Sequence, residues 1–68
     1  MKLIKNHYYV IEYNTLQYKR TVFTNTAVFL FSNGTLEGFT INNLPKSIHK
    51  ATQEEINIFN EEMLENNI

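Results

Sequence analysis

The Asn33-Gly34 dipeptide does most to restrict the folds open to this chain. It stands between Ala27-Val28-Phe29-Leu30-Phe31-Ser32 and Thr35-Leu36-Glu37-Gly38-Phe39-Thr40-Ile41, two runs rich in branched and aromatic residues. Asparagine and glycine both accept the positive φ angles of a two-residue type I′ turn, whose twist suits paired strands. The pattern predicts a β-hairpin in which Phe31 meets Leu36, Leu30 meets Glu37, Phe29 meets Gly38 and Val28 meets Phe39. A ring opposite a glycine covers backbone that the missing side chain leaves bare.

The same logic extends upstream. Tyr8–Tyr13 and Leu16–Phe23 are rich in Tyr, Val, Ile, Phe and Thr and predict two further strands. Turns at Asn14-Thr15 and Asn25-Thr26 would gather Tyr9, Ile11, Tyr13, Leu16, Tyr18, Val22, Phe29 and Phe31 on one face. Glu12, Gln17, Lys19 and Thr21 would fall on the other, and a slip of one residue would mix the two sets. Leu44-Pro45 ends the fourth strand, because proline cannot continue a central ladder. Lys46–Lys50 is then an extended linker or a fifth, edge strand. Thr52-Gln53-Glu54-Glu55 matches a capping box, with the Thr52 hydroxyl and the Glu55 carboxylate each accepting from the other residue's amide. The expected fold is α+β, one domain over residues 1–68. It is a four-stranded, or five-stranded, antiparallel β-meander followed by one C-terminal amphipathic α-helix. The strands are expected at about 3–13, 16–24, 27–32 and 35–41 and the helix at about 53–66.

A chain of 68 residues without cysteine has neither disulfides nor a thiolate zinc site to support it. Its core must come from a 43% apolar composition that includes four tyrosines and five phenylalanines. Self-association is the other common support for a domain this small. The predicted registers place Tyr8, Val10, Phe23, Val28, Leu30, Phe39 and Ile41 on the second face, interrupted by Glu12, Lys19 and Glu37. With two apolar faces and one helix, either the sheet curls into a barrel-like core or the second face meets another protein. The expectation drawn from this count is a homodimer formed through Phe23, Val28, Leu30 and Phe39.

Nothing in the chain has the form of a reaction centre. His7 and His49 are isolated, aspartate is absent, Ser32 and Ser47 have no neighbouring base, and the glutamates crowd one helix. No catalytic residue, metal or cofactor is expected, and the protein is not expected to be an enzyme. There is no apolar run of membrane-spanning length and no leader-like start. Together with the missing cysteines, this predicts a cytoplasmic protein without a membrane partner.

Charge is more informative. All six basic residues lie within residues 1–50 beside only Glu12 and Glu37, a formal balance of +4. Residues 51–68 hold Glu54, Glu55, Glu61, Glu62 and Glu65 and no base, a balance of −5. On a helical wheel Ile56, Phe59 and Met63 form an apolar stripe with Leu64 beside it, and Glu54, Glu61, Glu62 and Glu65 lie opposite. Ile58 lies about 200° from Ile56, among those four glutamates at i−4, i+3, i+4 and i+7. An apolar residue ringed by carboxylates has the form of a binding hot spot with a charged rim. The plainer account is a single exposed isoleucine with no role. Glu54, Ile58, Glu61, Glu62 and Glu65 are therefore the expected partner-binding residues, and the expected partner is a protein with a basic surface. As an alternative, Tyr9, Tyr18, Lys19 and Arg20 could stack bases and hold the phosphates of a single-stranded nucleic acid. The predicted register sets Arg20 opposite Tyr9, where an ordinary cation–π pair accounts for both. A structural homo-oligomer without other ligand is the third reading.

The segment Ile48-His49-Lys50-Ala51-Thr52-Gln53-Glu54-Glu55-Ile56-Asn57-Ile58-Phe59 resembles the basic–Ala-Thr-x-Glu-Glu-Ile-x-x-Phe endings of small phage and mobile-element accessory proteins. The bias toward Asn, Ile, Lys, Phe and Tyr resembles that of proteins from AT-rich phage genomes. The resemblance implies a host-takeover or anti-CRISPR type of inhibitor, working in the host cytoplasm. Such proteins are often acidic and act by occluding the nucleic-acid site of a host protein. It carries over no individual functional residue.

Overall fold

A computed structural model describes residues 2–66; Met1, Asn67 and Ile68, which belong to the expected domain, lie outside the described residues. Five strands, β1 (Tyr8–Ile11), β2 (Asn14–Val22), β3 (Thr26–Leu30), β4 (Leu36–Thr40) and β5 (His49–Lys50), form one antiparallel sheet in the order β4-β3-β2-β1-β5. A short 3-10 turn at Ile41–Asn43 follows β4, and helix α1 (Gln53–Asn66) closes the described chain. The expected α+β meander with one C-terminal helix is thus present, and the Lys46–Lys50 segment supplies the fifth strand at its end.

The registers differ from those read off the turn dipeptides. The first hairpin turns at Glu12-Tyr13, where φ is 47° and 74°, and pairs Tyr9 with Leu16 and Ile11 with Asn14. Asn14-Thr15, the expected turn, opens β2 instead. Two residues of positive φ are what a two-residue hairpin loop of the right twist needs, whichever side chains occupy it. The hairpin is moved by an even number of residues, so Tyr9, Ile11, Leu16 and Tyr18 keep their common face. Arg20 pairs with Val28, not with Tyr9, which removes the expected cation–π contact.

The second hairpin turns through three residues, Phe23-Thr24-Asn25, between the paired Val22 and Thr26. Along it the ladder shifts between Tyr18 and Arg20, so that Lys19 is an unpaired bulge. The bulge resets the side-chain alternation. Thr21, expected on the face opposite Tyr18, shares its side, and their hydroxyls are hydrogen-bonded. Val22 correspondingly leaves it.

At Asn33-Gly34 the loop is also one residue longer than expected. Gly34 N–H donates to the Phe31 carbonyl at 2.9 Å, and Phe31 N–H donates to the Thr35 carbonyl at 2.8 Å. Ser32-Asn33-Gly34 is therefore a three-residue loop, with Gly34 alone at positive φ (89°) and Asn33 Oδ1 accepting from Thr35 N–H. The odd slip carries β4 to the other parity. Leu30 meets Leu36, Phe29 meets Glu37, Val28 meets Gly38 and Ala27 meets Phe39. Phe39 thereby joins the core side, edge-on to Phe29 at 5.5 Å and stacked on Phe31 at 6.4 Å.

Each side of the sheet carries a cover. On one side Tyr9, Ile11, Leu16, Tyr18, Ala27 and Phe29 form the buried cluster, with Leu3, Phe31, Phe39, Leu44 and Ile48 packed against it. The expected strand over residues 3–7 is instead an arm that crosses this cluster, pinned where Ile4 N–H donates to Tyr9 Oη at 2.8 Å. The chain from Ile41 to Ile48 crosses beside it on its way from one sheet edge to the other. On the opposite side lie Tyr8 and Val10, and α1 covers them. Phe59, its one buried residue, meets the Tyr8 ring edge-on at 5.2 Å. The helix lies over the β1–β2 part of this side, while Val28 and Leu30 of β3 stay half-buried and Leu36 of β4 is 53% exposed.

Candidate functional site

Helix α1 starts where its sequence says it should. Glu55 N–H donates to Thr52 Oγ1 at 3.2 Å, and Thr52 N–H donates to Glu55 Oε1 at 2.8 Å. This is the reciprocal capping box, and Thr52→Ala should lower stability by about 1 kcal/mol in urea denaturation. The Thr52 backbone N–H holds the Glu55 carboxyl below the usual carboxylate range. Slight desolvation opposes this, and the Thr52 hydroxyl and the charge of His49 add to it. A carboxyl depressed in the folded state contributes stability above its unfolded pKa of about 4.3, and that stability is lost as pH falls through the lower folded value. We expect the urea midpoint to fall below about pH 4, and Glu55→Gln, which keeps an acceptor but no titration, to show a smaller fall. An equal fall in both proteins would place the acid-sensitive group elsewhere.

The cap fixes the rotation of α1, and Phe59 fixes which side faces the sheet. Ile58 is then left 50% exposed, and Glu54, Glu61, Glu62 and Glu65 are exposed around it. The expected partner-binding residues therefore share one solvent-facing side of the helix, at the spacings that make i±3 and i±4 positions neighbours.

What sequence reasoning missed lies across from Ile58. Tyr13, assigned to the core face when the first turn was placed two residues later, sits at the tip of the β1–β2 hairpin and is fully exposed (102%). It stands between two clefts. The first, about 310 Å³, is bordered by Tyr13, Thr15, Phe31, Glu55, Ile58 and Glu62. The second, about 480 Å³, is bordered by Val10, Glu12, Tyr13, Ser47, His49 and Glu55. An aromatic ridge, an exposed isoleucine and three carboxylates thus meet where the hairpin tip approaches the helix. The only available signal was that a turn at Glu12-Tyr13 would leave Tyr13 without a strand position.

The nucleic-acid residues are not brought together. Tyr9 is fully buried, its hydroxyl taken by the Ile4 amide, and Tyr18 is buried edge-on to Phe29 at 5.6 Å. Neither ring offers a face for base stacking. Lys19 reaches from the bulge to Asn6 Oδ1 at 3.1 Å, and Arg20 is exposed one residue on. The self-association set is dispersed too. Val28 and Leu30 lie half-buried on the helix side, Phe39 lies on the core side, and Phe23 stands 88% exposed at a hairpin tip.

His49 Nδ1 is within 2.9 Å of the Ser47 carbonyl. No helix among the described residues is long and apolar enough to cross a membrane. Compared with protein-family models, characterised proteins and solved structures, the chain gives no match.

Proposed function

We propose that this chain is a non-enzymatic protein-binding module, an inhibitor of the phage type that occludes a basic, nucleic-acid-binding surface of a host protein with its acidic helix. The observation that carries the reading is the juxtaposition of Ile58 and Tyr13, two exposed apolar side chains bordering one cleft whose charged walls are carboxylates alone. An apolar centre supplies affinity once desolvated, and a rim of one charge selects and steers a partner of the other. Glutamates one helical turn apart place negative charge at intervals of about 5–6 Å, a spacing a groove built for phosphates accepts. The charge resides on a helix anchored to the sheet and is presented with little loss of conformational freedom on binding.

The experiment is affinity capture from a candidate host, with native protein and Ile58→Asp run in parallel and a polynucleotide added as competitor. Ile58→Asp should change stability by no more than about 0.5 kcal/mol, as exposed substitutions do, while binding falls at least tenfold. The polynucleotide should displace the native protein, and rising salt should weaken capture. Equal capture by both proteins, or capture indifferent to polynucleotide and salt, would refute the reading. Strong destabilisation by Ile58→Asp would instead place the residue in a packed contact.

A further inference from the structure

A sheet ordered β4-β3-β2-β1-β5 has two open edges, and they are unequal. The β5 edge is two residues long, whereas β4 presents five, Leu36-Glu37-Gly38-Phe39-Thr40. Two bonds bracket β4 and set its alternation: Phe31 N–H to the Thr35 carbonyl and Ile41 N–H to the Asn25 carbonyl, each 2.8 Å. Thr35, Glu37, Phe39 and Ile41 consequently direct their backbone groups at β3. Leu36, Gly38 and Thr40 direct theirs away from the sheet. No turn or side-chain hydrogen bond among the described residues reaches those outward groups. Open edges in stable monomers are usually blunted by lysine, proline, a bulge or an overlying segment. β4 has no lysine, proline or bulge, its one charge is Glu37 on the Phe29 side, and four of its five residues are exposed.

We propose that β4 pairs with β4 of a second copy about a two-fold axis at Gly38, joining two sheets into one. This is independent of the helix-face reading, because the edge lies at the far side of the sheet from β1 and β5. The strand is self-complementary in one register above others. With Gly38 opposite Gly38 of the second copy, Leu36 faces Thr40 of that copy. All three outward residues then sit in pairs that exchange two hydrogen bonds each. Between them Glu37 faces Phe39 of the second copy. The register two residues away on one side sets the two Glu37 carboxylates directly opposite, which is repulsive. The one on the other side leaves Leu36 beyond the end of the partner strand. Leu36, 53% exposed, would be shielded beside the threonine of the second copy. A two-fold contact needs one patch that complements itself, and this strand meets that requirement. The expected occupant is therefore a second copy and not a foreign strand. The contact is smaller than a standard interface, so association should emerge only at high concentration.

The test combines sedimentation with amide hydrogen exchange on the intact chain, from micromolar to millimolar protein. Dimer formation should slow exchange at Leu36, Gly38 and Thr40 at least tenfold, while Glu37 and Phe39, already bonded to β3, change little. Thr40→Pro is the diagnostic variant. Thr40 has φ −64°, close to the value proline imposes, and the N–H it would lose points outward. That variant should keep its denaturation midpoint and stay monomeric. Gly38 is unsuitable for substitution, because a Cβ there would meet Thr26 Cγ2 at 2.8 Å. Should Thr40→Pro fail to fold, Leu36→Lys places a charge on the edge without altering the backbone. A monomer at millimolar concentration overturns the proposal. So does a dimer whose Leu36, Gly38 and Thr40 amides stay unprotected, or a folded edge variant that associates as the native chain does.

Discussion

Replacing Phe59 with alanine should cost about 3–4 kcal/mol and release α1 from the sheet. Phe59 is the one buried residue of the helix, and its ring meets Tyr8 edge-on at 5.2 Å. Ile56 and Met63 flank it half-buried, and Leu64 is 69% exposed, so no neighbour can take over the anchor. Truncation would therefore remove both transfer free energy and an aromatic pair, leaving a gap above Tyr8 and Val10. A helix of 14 residues without its docking face is marginal in water. A chain of this length holds about 3–10 kcal/mol in total, so the loss would consume much of its stability. The measurement is a urea titration followed by circular dichroism at the helical band. A shift worth less than about 1 kcal/mol would show that the helix is held by something other than Phe59.

Which parts of this fold were legible from the sequence follows from parity. The capping box at Thr52 and Glu55 is a local device, complete within four residues, and it forms as written. Strand positions follow from composition and survive errors in the turns. The hairpin between β1 and β2 turns two residues earlier than expected, at Glu12-Tyr13, but the displacement is even and returns Tyr9, Ile11, Leu16 and Tyr18 to one face. The hairpin at Asn33-Gly34 has one residue more in its loop, and that odd displacement sends Phe39 to the opposite face. A two-residue and a three-residue loop can both end in glycine at positive φ, so the dipeptide cannot distinguish them. The bulge at Lys19 has no local signature at all. The bulge and the three-residue loop at Phe23-Thr24-Asn25 cancel, so Phe29 keeps its expected face and Val28 and Leu30 theirs. The odd step at Asn33-Gly34 alone put Phe39 on the predicted second face and so into the predicted dimer surface. The arm of residues 2–7 and the crossing segment of residues 41–48 were equally hidden. Leu3, Leu44 and Ile48 act as cover only through long-range packing, which no periodicity announces.

The candidate site was half legible for the same reason. The helix side with Ile58 depends on helical spacing, which is regular, whereas Tyr13 depends on where a turn falls. Tyr13 now offers the sharpest separation of binding from folding. At φ 74° it occupies a left-handed conformation that a bulky side chain enters at a cost and glycine enters freely. Its ring is fully exposed and returns no packing to offset that cost. Tyr13→Gly should therefore raise stability by about 0.5–1 kcal/mol, because glycine suits the second position of this turn. The same change removes the aromatic ridge beside Ile58 and should weaken partner binding by about 2 kcal/mol, roughly thirtyfold. Urea denaturation and a binding titration on one variant read the two effects, which have opposite signs for function. A variant both more stable and fully competent to bind would remove Tyr13 from the site and leave Ile58 as the only apolar centre of the acidic face. A less stable variant would mean that the ring, exposed as it is, restricts the unfolded chain more than its backbone conformation strains the folded one.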